Sequence, residues 1–284
     1  MILITGAAGT VGSEVVKQLQ KTGAKFRAGY ASEAKAAEAR AKGIDAVVAN
    51  YADAQSLDAA LAGVDKLFLL AGGAPNQTEL ELNVVAAAKR AGVKHIVKLS
   101  VWGAEGEAFS FAKVHRPVEK AIEKSGATWT HLRPNGFMQN MATYMGSTIR
   151  GEGAFYVAAG DAQISHVDVR DIAAVAVKAL TEPGHENTVY TLSGPAPLTY
   201  NEIAETLTRA AGKPVKYVDL PAATYKEAIV GAGVPPAYAD AMINLYDYYK
   251  EGHARATTND VKRVTGRDPI PFAQFAEENA QAFR

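Results

Sequence analysis

Three glycines follow the first apolar segment of the chain at even spacing. Residues 1–5 (MILIT) form a run typical of a buried strand, and Gly6, Gly9 and Gly12 come directly after it. A side chain at Gly6 would obstruct a tight turn, and one at Gly9 would hold the backbone away from a pyrophosphate. A side chain at Gly12 would push the following helix off the strand. The spacing therefore predicts a dinucleotide-binding turn.

Apolar strands and amphipathic helices alternate around this turn. Strands are predicted at residues 1–5, 25–30, 45–49, 66–70, 95–100 and 128–132. Helices are predicted at residues 13–22, 34–42, 56–62 and 79–91. Continuous apolar strands that alternate with helices indicate a parallel sheet covered on both faces. The predicted class is α/β, a Rossmann-type doubly wound parallel sheet.

The pattern changes from Gly151 onward. Short β-branched and aromatic segments at 154–157 and 188–192 are separated by Gly and Pro, and helices are predicted at 201–211 and 235–250. We predict a dinucleotide-binding core over residues 1–150. Residues 151–284 are predicted to form mostly a smaller mixed α/β lobe that caps the substrate over the strand ends, with some segments at about 164–192 returning to the core. The alternative is one continuous domain with a decorated end.

Composition narrows the class of partner. Thirty basic and thirty acidic residues cancel over 284 residues, so no broad attraction toward nucleic acid or an anionic membrane is expected. The expected partners are a small-molecule substrate and, as a homodimer, a second copy of the chain. The sequence has no cysteine and no apolar run of eighteen residues. We expect a soluble, unprocessed, cytoplasmic protein.

The end of the second strand bears on which dinucleotide binds. An acidic residue there would bind the ribose hydroxyls, whereas small polar or basic residues suit a 2′-phosphate. The segment 26–35 reads FRAGYASEAK, with no acid at the strand tip and Glu33 one step into the loop. Ser32 and Lys35 open the next helix, whose amides favour an anion. The missing acid favours NADP(H) over NAD(H), whereas Lys35 taken alone is better interpreted as a solvated helix residue.

Several longer motifs resemble a known family. The chain contains GAAGTVG, NYADAQSLDAALAGVDKLFLL, LRPNGFMQN, SHVDVRDIAAVAVKAL and EPGHENTVYTLSG. Together these motifs resemble the NmrA-like atypical short-chain dehydrogenases. Within that family the likeness points to the branch of NAD(P)H:quinone oxidoreductases and triphenylmethane-dye reductases.

The resemblance implies a set of cofactor-binding residues. Around the pyrophosphate it places Gly6, Ala8, Gly9, Thr10, Val11 and Gly12. It places Asn50 and Tyr51 beside the adenine, and Ala71, Gly72 and Gly73 along the cofactor. At the nicotinamide end it places Pro134, Asn135, Gly136 and Phe137. One departure is Ala31, where many NADP-dependent relatives carry arginine.

The same resemblance identifies candidates for proton chemistry. Typical short-chain dehydrogenases combine a serine with a Tyr-x-x-x-Lys pair, in which the tyrosine is the acid. This chain has Ser100 and Lys113, but the position four before Lys113 is Phe109. Phenylalanine cannot deliver a proton, so carbonyl reduction by the usual route is not expected.

His115 is the substitute candidate, because it matches a histidine of the quinone reductase branch. It lies four residues before Glu119, so on a helix the carboxylate could orient the imidazole and raise its pKa. Pro117 requires that this helix begin near Lys113 or be kinked. The competing interpretation is a partly exposed histidine at the start of the helix, with Glu119 as a solvated neighbour. Ser100 and Lys113 likewise have structural alternatives, as a turn cap and an exposed lysine.

Three further groups of side chains have predicted roles outside the cofactor site. Met138, Met141 and Tyr144 follow the nicotinamide loop and are predicted to line a substrate pocket. The tyrosines at 238, 246, 248 and 249, with Met242, are read as a core or interface face. Arg133 is considered as an ion-pair partner of Asp168 or Asp171. No histidine spacing suggests a metal site.

These observations favour an NAD(P)H-dependent reductase of planar conjugated acceptors such as a quinone, a dye or an activated alkene. Such acceptors take hydride and collect a proton from water afterwards, so the missing tyrosine is tolerated. The alternative is a non-catalytic NADP-binding redox sensor, as some NmrA-like proteins are. A sugar-nucleotide epimerase or dehydratase ranks last, because it also requires the tyrosine.

Overall fold

The computed structural model describes residues 1–73 and 75–284. Its strands are β1 Ile2–Ile4, β2 Phe26–Tyr30, β3 Ala46–Val48, β4 Lys66–Leu69, β5 His95–Leu99, β6 Thr128–Pro134, β7 Ala154–Val157, β8 Thr188–Leu192 and β9 Lys216–Asp219. Its helices are α1 Thr10–Leu19, α2 Glu33–Ala41, α3 Ala54–Leu61, α4 Gln77–Ala91, α5 Ser110–Glu123, α6 Gly146–Glu152, α7 Val169–Thr181, α8 Tyr200–Ala211, α9 Ala222–Gly231, α10 Pro236–Lys250, α11 Asp260–Thr265 and α12 Phe272–Glu278.

Seven strands form one sheet in the order β3-β2-β1-β4-β5-β6-β8. Pairing is parallel from β3 through β6, and Ile2 of β1 is in register with both Phe26 and Lys66. β1 and β4 are neighbours although they are not consecutive strands, so the direction of winding reverses between them. Ligands of open α/β sheets bind at the carboxyl ends of strands at such a switch point. The predicted Rossmann-type sheet is confirmed.

The chain divides into two compact units. The first contains residues 1–105, 113–133 and 172–190, and the second contains residues 106–112, 134–171 and 191–284. Residues 106–112 and 134–150, which were predicted to belong to the dinucleotide-binding core, lie in the second unit. Residues 172–190, inside the span of about 164–192 from which some segments were predicted to return to the core, lie in the first unit.

Each unit has its own apolar core. In the first unit, Leu67 and Leu69 of β4 pack with Val84 of α4, all fully buried. In the second unit, Phe155 of β7 packs with Ile203 of α8. A separate two-stranded parallel sheet, β7 with β9, lies in this second unit.

The tyrosine stripe of α10 belongs mainly to the core of the second unit, as predicted. Tyr246 and Tyr249 are buried, and Tyr248 stacks on Phe109 with 4.4 Å between ring centroids. Tyr238 is 38% exposed and meets Phe111 edge to face. The described helices include none with the length and apolarity that a membrane span requires.

The helix that carries His115 does not begin near Lys113, which was the first of its two predicted alternatives. α5 begins at Ser110 rather than near Lys113, so Pro117 lies in the helix interior instead of the first turn. Proline there has no N–H to donate to the carbonyl of Lys113. The helix nevertheless continues to Glu123.

Candidate active site

The glycine turn has the close contacts that its spacing predicts. The Gly9 N–H donates to the Gly6 carbonyl at 2.9 Å, and Gly6 has a φ of 62°. A Cβ on Gly6 would lie 2.9 Å from the Leu70 carbonyl oxygen, and one on Gly12 would lie 2.7 Å from the Gly6 carbonyl carbon. Side chains at these two positions would therefore displace the turn.

The N-terminus of α1 is open toward the turn. Gly9 is the N-cap residue, no side chain caps the helix, and its first turn contains no acidic residue. The first amides of a helix carry partial positive charge and bind phosphates when nothing else does. Ala8, Gly9 and Thr10 are exposed, whereas the Val11 side chain is buried. Val11 could therefore offer a ligand only its backbone.

Two hydroxyl groups fix the turn against β4. The buried Thr5 hydroxyl donates to the Phe68 carbonyl at 2.8 Å and accepts from the Leu70 N–H at 3.1 Å. The Tyr51 hydroxyl donates to the Leu70 carbonyl at 2.6 Å. Burial raises the pKa of Tyr51, so it stays a protonated donor. Thr5 was not predicted as a site residue, and Tyr51 has this supporting role beside its predicted one at the adenine.

The residues predicted to select the dinucleotide lie at the start of α2 and after β3. Ser32 is the N-cap of α2 and Lys35 lies in its first turn, and both are exposed. Glu33 pairs with Arg40 of the same helix. The Asn50 side-chain oxygen accepts from the Ala52 N–H at 3.1 Å. The nearest acid to the strand tip is thus already paired, while Ser32 and Lys35 remain accessible.

A buried charged cluster connects the loop after β4 to His115. The Ala71 N–H donates to Glu81 Oε1 at 3.0 Å, and the same oxygen accepts from Lys98 Nζ at 2.9 Å. Glu81 and Lys98 are both fully buried. Lys98 Nζ also donates to the Leu99 carbonyl and lies 3.1 Å from His115 Nδ1. Gly72 and Gly73, the next residues of this loop, are exposed.

Glu119 favours protonation of His115 as expected, but the expected net rise of the His115 pKa and the orientation of the ring by this carboxylate are wrong. Burial lowers the pKa of His115 well below its ordinary value, and the charge of Lys98 lowers it further. Glu119 opposes both effects without overcoming them. The hydrogen-bond partner of the imidazole is Lys98, on the neighbouring strand, and not the carboxylate one helical turn away.

Glu119 is instead the centre of a second ion-pair network. Arg133 donates to both of its oxygens, Nε to Oε1 at 3.0 Å and Nη2 to Oε2 at 2.8 Å, and Arg116 adds a bond of 2.9 Å. Burial raises the pKa of Glu119, but the hydrogen bonds from Arg133 and the nearby positive charges outweigh it, and its pKa falls to about 2. This carboxylate stays ionised.

This network also changes the prediction for Arg133. Its partners are Glu119 and Glu105, so the predicted pairing with Asp168 or Asp171 is wrong. A carboxylate that accepts two hydrogen bonds from the Arg133 guanidinium group is a stronger partner for it than a carboxylate that accepts one or none. Asp168 pairs with Arg170, and Asp171 pairs with Arg267.

Of the other two predicted catalytic residues, Ser100 is buried at the end of β5 and its N–H donates to the Leu132 carbonyl at 2.7 Å. Lys113 is exposed on α5.

One group of potential metal ligands occurs in the described part of the chain. Glu119, Glu123 and His131 bring one ligand atom each within 4.8 Å of one another. Arg116 and Arg133 already neutralise these carboxylates. The arrangement is that of an ion-pair network.

The predicted nicotinamide-end residues lie in the second unit, where their polar groups bond locally. Asn135 is buried, and its amide nitrogen donates to Ser165 Oγ at 2.9 Å and to the Ala254 carbonyl at 2.8 Å. Its side-chain oxygen accepts from the Gly136 N–H. A Cβ on Gly136 would lie 3.0 Å from the His166 ring. Pro134 is buried and Phe137 half-buried, and the cofactor contacts of this segment stay a prediction.

The predicted substrate residues divide into buried and exposed members. Met138 and Met141 are each 1% exposed and belong to the core of the second unit, whereas Tyr144 is 73% exposed. Tyr144 is therefore the member of the group whose side chain is accessible to a ligand. A surface cleft of about 320 Å³, lined by Asp161 and Lys250 among others, contains none of the predicted site residues.

Comparison with known proteins identifies the family. The model of the NmrA-like family matches residues 1–268. The chain belongs to the NmrA-like family. This match confirms the resemblance seen in the sequence motifs.

The NmrA-like chain is similar to reductases over its whole length. It is 41% identical to an NAD(P)H azoreductase of Xenophilus azovorans, covering 100% of this chain and 99% of that protein. The structure of an NADPH-dependent quinone oxidoreductase of Escherichia coli, complexed with NADPH, matches with a TM-score of 0.88 and 32% identity over 98% of this chain and 99% of that one. The structure of a Citrobacter sp. triphenylmethane reductase, complexed with NADP(H), matches with a TM-score of 0.87 and 30% identity over 98% and 99%.

Proposed function

We propose that this NmrA-like protein is an NAD(P)H-dependent reductase that transfers hydride to a planar conjugated acceptor, such as a quinone, a dye or an activated alkene. Its full-length relatives are named for azo, quinone and triphenylmethane reduction. The observation that carries the proposal is the uncapped N-terminus of α1 behind the glycine turn. An open helix end at a strand switch point is suited to a pyrophosphate.

The described residues fit a dinucleotide. Added side chains at Gly6 and Gly12 would collide with backbone, so these two glycines allow the tight turn and the close packing of α1 that a dinucleotide-binding turn requires. NADP(H) is the favoured form, because the matched quinone and triphenylmethane reductase structures hold it. Ser32 and Lys35 are the residues proposed to meet its 2′-phosphate.

A reduced nicotinamide supplies the hydride when it is bound. The chain's task is to hold the two reactants close together and to stabilise the charge that develops on the acceptor. His115 is the residue we assign to the second task, as an N–H donor. Phe109 cannot supply a proton, so the acceptor collects it from water after the hydride has moved.

The test is NADPH oxidation in the presence of an acceptor panel. We expect turnover with quinones and azo or triphenylmethane dyes, and none with simple ketones. Turnover of ketones alone, or of nothing in the panel, would contradict the proposal. If nothing turns over while NADP and NADPH bind with different affinities, the redox-sensor alternative is favoured instead.

A homodimer and a cytoplasmic location remain predictions from composition. Light scattering of the purified protein and microscopy of a tagged chain would test them.

A further inference from the structure

Lys98 is an unusual residue for its position. It lies on β5, an interior strand of the parallel sheet, and is fully buried. A lysine is rarely fully buried unless an opposite charge pairs with it. Glu81, also fully buried, supplies that charge at 2.9 Å.

Each of the three N–H groups of the Lys98 ammonium group has one neighbouring acceptor. Lys98 Nζ donates to Glu81 Oε1 and to the Leu99 carbonyl, and its third neighbour is His115 Nδ1 at 3.1 Å. An ammonium group has three donors and no acceptor. Nδ1 must therefore accept, so the proton of the neutral imidazole lies on Nε2.

We propose that Lys98, held by Glu81, is a positioning residue that fixes His115 as a neutral imidazole with its proton on Nε2. His115 then acts as a hydrogen-bond donor toward the acceptor and not as an acid. Only the role of the His115 Nε2–H group in reduction rests on the proposed reductase function. The fixed tautomer itself is a property of the resting protein.

The charges around His115 agree with this assignment. Lys98 from β5 disfavours protonation of the ring, Glu119 on the same helix favours it, and Glu81 is engaged by Lys98 and by the Ala71 N–H. Burial and Lys98 outweigh Glu119, so the ring stays neutral near pH 7.

Glu81 also connects His115 to the loop after β4. The oxygen that binds Lys98 accepts the Ala71 N–H, and Ala71 begins the segment predicted to pass the cofactor. One carboxylate thus sets the position of that loop and of the group that orients the imidazole.

Long-range ¹H–¹⁵N NMR of the labelled full-length protein tests the tautomer without any substrate. His115→Gln identifies the resonance by its loss. We expect a pyridine-type Nδ1 and a pyrrole-type Nε2, with no titration of His115 between about pH 6 and 8. A pyrrole-type Nδ1, or protonation of the ring in that range, would overturn the proposal.

A charge-neutral double variant tests the role of Lys98. Glu81→Gln with Lys98→Met removes both buried charges together, because Lys98→Met alone would leave a buried carboxylate and could prevent folding. The introduced amide oxygen can still accept the Ala71 N–H. We expect His115 to populate both tautomers and its pKa to rise, with kcat about tenfold lower and KM for NADPH changed less than about twofold.

Thr78→Val is the matched control. The Thr78 hydroxyl donates to the Val114 carbonyl at 2.9 Å, so it supports the same helix one residue before His115 without touching the ring. We expect the wild-type tautomer and pH behaviour in this variant. If Thr78→Val shifts the tautomer as the double variant does, a general loosening of α5 explains the effect and the proposal is overturned. If the wild-type protein shows the Nε2 proton but reduces no acceptor, the fixed tautomer stands and the reductase function falls.

Discussion

Gly12→Ala should separate the steric role of the glycine turn from every other contribution to cofactor binding. The added Cβ would lie 2.7 Å from the Gly6 carbonyl carbon and 3.1 Å from Ala7 Cα. The Gly6 carbonyl oxygen would lie nearer still, and since ordinary contacts begin near 3.4 Å, α1 and the turn must separate by more than about 0.7 Å. Such overpacking costs about 1–3 kcal/mol, against which alanine regains about 1 kcal/mol of helix propensity.

The same displacement moves the α1 amides away from the position of the pyrophosphate. A hydrogen bond to a charged group contributes about 1.5–3 kcal/mol, so weakening one such bond should raise Kd for NADPH about 10- to 100-fold. Isothermal titration calorimetry gives Kd, and urea denaturation of the cofactor-free protein gives the free energy of unfolding.

Gly151→Ala is the matched control, because Gly151 also lies in a helix and a Cβ there meets nothing within 4 Å. We expect unchanged Kd and equal or slightly higher stability in this variant. A folded Gly12→Ala protein that binds NADPH within about twofold of wild type would refute the argument.

Three further predictions concern single side chains. His115→Gln keeps a neutral N–H donor and should lower kcat about tenfold, whereas His115→Phe should lower it about 10²- to 10³-fold; equal losses in steady-state assays would contradict a donor role. Burial lowers the pKa of His131 in the folded protein to about 4. As the pH falls from about 6.5 toward 4, this histidine is protonated in the unfolded chain but not in the folded protein, so the folded protein loses stability. Between pH 7.5 and 5 this group lowers the free energy of unfolding by about 2 kcal/mol. In His131→Phe, whose ring can replace the stack on Trp129, urea denaturation should show a decrease over this pH range that is about 2 kcal/mol smaller than in wild type. An equal decrease in the two proteins would exclude His131 as the cause. Ala31 is exposed between β2 and α2, so Ala31→Arg should increase the preference for NADPH over NADH in kcat/KM about tenfold, and an unchanged ratio would place the 2′-phosphate elsewhere.

The sheet was predictable because its strands are apolar over their whole length. Leu67, Phe68 and Leu69 are all fully buried, and a buried parallel strand requires such a run. The start of α1 was placed late, at residue 13 instead of Thr10, because Gly12 reads as a turn residue although it is helical here. Steric closeness to Gly6, and not backbone conformation, is the reason for a glycine at that position.

The surroundings of His115 were less predictable, because they depend on strand neighbours that sequence spacing does not reveal. Spacing of four residues places Glu119 near His115, but Arg133 on β6 binds that carboxylate through two hydrogen bonds. The sequence does indicate that Lys98 has a buried ion-pair partner, because a charged residue inside an apolar strand requires one. The identity of that partner, Glu81 on α4, required the fold.

The missing tyrosine and the neutral histidine together constrain which acceptors can react. Phe109 stacks on Tyr248 as a buried aromatic residue and has no proton to give. A neutral imidazole can stabilise an oxyanion by a hydrogen bond, but it is a much weaker proton donor than an imidazolium or the tyrosine of the usual route. Reduction of a quinone or an extended dye leaves a delocalised product that needs only stabilisation, whereas reduction of a simple ketone leaves a localised alkoxide. If His115 has the proposed role, selectivity for conjugated acceptors is the expected result of the missing tyrosine and the neutral histidine together. A variant that restores a proton donor, such as Phe109→Tyr, should gain ketone reduction only if its hydroxyl leaves the stack on Tyr248.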